Sequence, residues 1–117
     1  MPLIDPELLS EIISTASDIS FLVSHDGKVT AVTVNPAHRS FGKLSHWLGL
    51  SVADIMTEEC HKKFVRRVAE LQKPGVTSLH IEINHFDEEM WEFPVRYSMH
   101  ILDQDGSILL LGRDLRP

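Results

Sequence analysis

The feature that most constrains this chain is a run of strict alternation near its end. Trp91, Phe93, Val95, Tyr97, Met99 and Ile101 take every second position, with Glu92, Pro94, Arg96, Ser98 and His100 between them. Successive side chains on a β-strand point to opposite faces, so the run sets one apolar face against a core and one polar face toward water. A long strand buried on one side needs neighbours for its backbone and a cover for its apolar face. Pro94 has no N–H to give a neighbour and is expected at a sheet edge or a bulge.

Four other segments read as strands that can join it. Ile19 to Ser24 and Val29 to Val34 are rich in β-branched and aromatic residues. His25-Asp26-Gly27-Lys28 separates them, and Asp-Gly is a strong hairpin signal. Asn35-Pro36 ends the second. Leu79, Ile81 and Ile83 alternate with His80, Glu82 and Asn84, and Asp105-Gly106 turns the chain into Ile108 to Leu111.

Helical segments lie between and before these strands. Residues 37 to 56 carry apolar side chains at irregular helical spacing, interrupted by Gly42 and Gly49, and read as short helical turns. Thr57 to Lys73 is the main helix. Thr57 is a capping residue, Glu58 and Glu59 suit the first turn, and Cys60, Phe64, Val68 and Leu71 share one face. Pro74-Gly75 stops it. At the N-terminus Asp5 can cap and Pro6 can open a further helix, whose stripe is Leu8, Leu9, Ile12, Ile13 and Ala16.

The expected fold is therefore α+β: a five-stranded antiparallel sheet covered on one face by helices. An amphipathic cap helix at 1–18 precedes the sheet domain at 19–117. A chain of 117 residues suits one core. Its net charge of −6 disfavours a phosphate backbone as a direct ligand. Cys60 is the single cysteine, so no internal disulfide is expected. No apolar run is long enough for a bilayer, no secretory pattern opens the chain, and a cytoplasmic location is expected.

In its order of elements, residues 19 to 114 resemble a PAS domain. SDISFLVSHDGKVTAV is similar to a PAS opening hairpin, HWLGLSVADIM to the stretch before the long helix, and ILLLGRDLRP to the last strand and its exit. The words ISTASDISFLVS, VNPAHRSFGKLSHWLG, EINHFD, FPVRYSMHIL and SILLLGRDLRP together resemble the N-terminal domain of PpsR/CrtJ-type regulators. These are transcriptional repressors of photosynthesis genes. The resemblance implies a multidomain protein, with further PAS domains and a DNA-binding helix-turn-helix outside this segment. It also implies homodimers or higher homo-oligomers and an antirepressor protein partner. Arg113 and Asp114 would stand at the signal exit of the last strand.

His25, His38, His46, His61, His80, His85 and His100 are scattered over turns and polar strand faces, without the spacing of a metal site. No metal is expected. The resemblance leaves a haem role open for His61 on the long helix, as in a ligand- or haem-sensing PAS domain of a histidine kinase. Phe41, Trp47, Ile55, Phe64, Val68, Tyr97 and Met99 could line a small-ligand pocket, but they would equally fill a closed core, which is the reading preferred here. No cofactor is expected. Asp87, Glu88 and Glu89 read as a solvated turn. An enzyme would need a titratable pair facing the core, and the inward positions of the long strand offer only Tyr97. Leu8, Leu9, Ile12 and Ile13 fall outside the sheet domain and need an apolar partner, which makes them the expected dimer contact.

Overall fold

The computed structural model describes residues 17–35, 44–86, 89–102 and 106–115. The expected cap helix with Leu8, Leu9, Ile12 and Ile13 lies outside them, as do Phe41, Asp87, Glu88 and Arg116. The five strands are β1 (Ile19–Val23), β2 (Val29–Val34), β3 (Ser78–Phe86), β4 (Glu92–Ile101) and β5 (Ile108–Asp114). They form one sheet in the order β2-β1-β5-β4-β3, with every neighbouring pair antiparallel. Two hairpins from the two ends of the chain are thus joined by the last strand, which pairs with β1 on one side and β4 on the other.

Local chemistry explains the turns and the helix. Gly27 takes the left-handed conformation (φ 83°) that the β1–β2 turn needs, and the Ser24 hydroxyl donates to the Asp26 carboxylate across the same turn. Short 3-10 turns at Ser45–Trp47 and Val52–Ile55 deliver Trp47, Val52 and Ile55 to the core. Helix α1 (Glu58–Leu71) starts where the Thr57 hydroxyl accepts the Cys60 N–H at 3.3 Å. It lays Cys60, Phe64 and Leu71 over the sheet, with Val68 at the margin. The sheet floor beneath is Ile19, Phe21 and Val23 of β1, Ile81 and Ile83 of β3, Phe93, Val95, Tyr97 and Met99 of β4, and Leu110 of β5. Burying each large apolar side chain contributes about 1.5–3 kcal/mol.

Three details differ from the sequence reading. Trp91 does not extend the buried row. It precedes β4 and is 71% exposed, because Met90 beside it takes a positive φ of 66° and the chain turns there. Pro94 lies on an interior strand, not at an edge, and its missing N–H costs the ladder only the last bond of its run. Its carbonyl accepts the Leu115 N–H at 3.1 Å just past the end of β5, so its missing N–H falls where the β4–β5 ladder stops. Strand β5 runs on through Gly112, Arg113 and Asp114. Glycine usually weakens a strand, but here Gly112 lies across from Tyr97, and a Cβ on it would sit 2.5 Å from the Tyr97 ring.

Candidate functional site

Two places concentrate the polar chemistry of this fold: the centre of the core, and the point where the chain enters and leaves the sheet. At the centre is His85. Strand β3 continues its alternation past Ile81 and Ile83, so His85 faces inward and is fully buried. One ring nitrogen, Nδ1, lies 2.6 Å from the Ile55 carbonyl, and Nε2 lies 2.6 Å from the Tyr97 hydroxyl. A carbonyl only accepts, so Nδ1 carries the proton and donates to it. Nε2 then accepts from Tyr97 O–H. Phe21, Trp47, Phe93 and Tyr97 surround the ring, with Trp47 closest at 4.6 Å between centroids.

Burial governs the charge state of both partners. Desolvation lowers the His85 pKa to about 4 and outweighs the upward pull of its bond to the Ile55 carbonyl, so the ring is neutral at pH 7. Burial raises Tyr97 well above its usual value, so the phenol keeps its proton. The pair corrects two expectations. His85 does not lie on a polar strand face, and Tyr97 has a histidine companion in the core. Both groups are sealed from solvent with their hydrogen bonds satisfied, so the arrangement pins the 3-10 turn at Ile55 to β3 and β4. Parity was the missed signal: Ile81, Ile83 and His85 are all odd-numbered.

The second place is built around Asp18, just before β1, which was not among the candidate residues. Its N–H donates to the Gly112 carbonyl at 2.9 Å, its carbonyl accepts from the Asn35 N–H at 2.9 Å, and its Oδ2 accepts from the Asp114 N–H at 2.8 Å. One residue thus ties the start of β1 to the ends of β2 and β5. Asp114 of the expected signal exit is half-buried in this clamp, and Arg113 is exposed on the outer face in register with Arg96.

The other candidate residues are dispersed. Trp47, Ile55, Phe64, Tyr97 and Met99 belong to one continuous core, with Val68 packed against it. His61 lies on the outer side of α1, lining a surface depression with Lys62, Val65 and Arg66. Cys60 is buried, and its Sγ accepts the Asn84 N–H at 3.3 Å, joining α1 to β3. Glu89 is exposed. Among the described residues, no three His, Cys, Asp or Glu side chains gather as a metal ion would require. None of the described helices is long and apolar enough to cross a membrane.

Comparison with known proteins places this geometry. No protein-family model matches the chain. The crystal structure of a PAS domain of an HTR-like protein from Haloarcula marismortui superposes with a TM-score of 0.70 at 14% identity, covering 93% of this chain and 90% of that one. A domain of a sensory box sensor histidine kinase/response regulator from Geobacter sulfurreducens superposes with a TM-score of 0.65 at 21% identity, covering 92% of each chain. In sequence, Protein CrtJ of Rhodobacter capsulatus is 34% identical over 114 residues, which is 97% of this chain and 24% of CrtJ. The chain therefore spans about a quarter of the length of that relative.

Proposed function

This chain is a PAS domain of the CrtJ type, and from that premise we propose that it is a non-enzymatic interaction and relay module of a transcriptional regulator. It would assemble copies of the protein and pass the state of a partner, such as an antirepressor protein, to a DNA-binding domain elsewhere in the polypeptide. The module itself would bind neither nucleic acid nor a cofactor, and would work in the cytoplasm. The Asp18 clamp carries this reading. The stripe of Leu8, Leu9, Ile12 and Ile13 runs in sequence directly into Asp18, and Asp18 holds the backbone of Asp114, where β5 leaves the sheet. A change in packing before β1 therefore has a direct mechanical path to the exit, and an equilibrium between two packings is all that relay requires.

The test has two arms. Leu9→Asp with Ile12→Asp should move the domain from dimer to monomer by light scattering, and an unchanged mass removes the assembly role. Asp18→Ala in the full-length protein should leave that mass unchanged yet alter operator affinity or its response to the partner. Operator binding and response both equal to wild type would remove the relay role.

A further inference from the structure

Strand β3 is the edge of the sheet beyond β4, and its outward backbone direction follows from the bonds on it. The Asn84 N–H donates to Cys60 Sγ, and the Asn84 carbonyl accepts from the Thr57 N–H, so Asn84 turns its backbone groups away from β4. Backbone direction repeats every second residue in an antiparallel ladder, so Glu82 and His80 direct theirs the same way. Past Asn84 the start of α1 still reaches the Glu82 carbonyl, 4.0 Å from Cys60 Sγ, and the Glu82 N–H and the His80 backbone lie beyond that contact. A shallow groove of about 320 Å³ opens there, lined by Lys63, Arg67, His80, Ile81, Glu82 and Arg96.

The charge around this groove is opposite to that of the whole chain. The net charge is −6, yet Lys63, Arg66, Arg67 and Arg96 gather here against Glu70 and Glu82. Arg67 gives one N–H to Glu70 at 3.2 Å, while its Nε is buried and, among the described residues, meets no acceptor. A set of cations beside a partly open strand edge points to an occupant that supplies carboxylates and a backbone together.

We infer that the β3 edge is a docking site for an extended acidic peptide segment of a partner protein, which adds a sixth strand beside His80 and Glu82. Main-chain hydrogen bonds to the edge would give attachment. Side chains of the added strand alternate between the α1 side, where Lys63 and Arg67 stand, and the outer face, where Arg96 stands. A row of carboxylates on one face of the added strand therefore meets Lys63 and Arg67 on the α1 side, or Arg96 beyond Glu82 on the outer side. The same cations repel a basic strand and discourage a neutral one, so the edge is guarded against indiscriminate pairing and open to an acidic segment. This surface shares no residue with the N-terminal stripe or the Asp18 clamp, and the proposal stands or falls without them.

The experiment is an NMR titration of the 15N-labelled chain with a capped hexapeptide of alternating glutamate and valine. A second hexapeptide, with proline in place of valine, has equal charge but lacks the N–H groups at those positions. The first should shift the His80 and Glu82 amides and slow their hydrogen exchange, and Lys63→Glu with Arg96→Glu should weaken it by about tenfold or more. Unshifted Ile19 to Val23 amides, on β1 with β5 between it and Arg96, would show that this variant is folded. The proline peptide and inorganic phosphate should each bind at least about tenfold more weakly than the first peptide. An equal response to either means simple attraction of anions and overturns the proposal. So does an unresponsive edge, or a folded variant that binds as wild type does.

Discussion

His80 and His85 stand on the same strand, and the fold treats them in opposite ways. His85 faces the core, is fully buried, is held at both ring nitrogens and stays neutral. His80 faces outward, is exposed, and borders the basic groove at the sheet edge. The contrast comes from strand parity alone, since a shift of one residue sends a side chain to the other face. A histidine's chemistry in this chain is thus set by whether its position is odd or even on β3.

The largest effect that would break the contrast is truncation. His85→Ala leaves a void and strips the Ile55 carbonyl and the Tyr97 hydroxyl of their partner, and should destabilise the fold by about 3–5 kcal/mol. His80→Ala should stay within about 0.5 kcal/mol. Urea unfolding of the two variants decides the matter, and similar losses would refute the parity argument.

Acid should also act through His85. Its folded pKa of about 4 lies below the ordinary 6.5, so between those values the unfolded chain binds the extra proton and stability falls as pH drops. The difference corresponds to roughly 3 kcal/mol, complete near pH 4 and absent above about pH 7. Urea midpoints across this range, set against those of His85→Leu to remove the contribution of carboxylates, should show the slope in wild type only.

A smaller change sharpens the same point. Tyr97→Phe keeps the ring packing and removes only the hydroxyl that His85 Nε2 accepts from. The cost should be about 1–3 kcal/mol, with the His85 pKa moved little, since desolvation sets it. A loss below about 0.5 kcal/mol would show that the 2.6 Å contact contributes no net stability.

Most of the architecture was legible because it rests on local chemistry. Asp26-Gly27 announced the first hairpin, Thr57 the start of α1, and the odd-numbered residues of β4 the floor of the core. The misreadings share a cause. Trp91 fits the alternation, but alternation does not show where a strand stops. Pro94 is allowed by where its neighbour β5 ends, and Gly112 by the Tyr97 ring across from it. The His85–Tyr97 pair joins residues on different strands, with Ile55 from a third segment. No spacing along one strand reports that meeting.

The amino-acid order by itself determined which face of each strand is apolar, where the chain turns, and so which side of the sheet α1 must cover, because these depend on near neighbours and a period of two. Tertiary structure alone decided that Asp18 would close on Asp114, that His85 would be neutral, and that the edge of β3 would be only partly covered by α1, beside a patch of cations. Each of these depends on distance, desolvation or strand order between residues far apart in sequence, and the chain acquires them only when β5 joins its two hairpins.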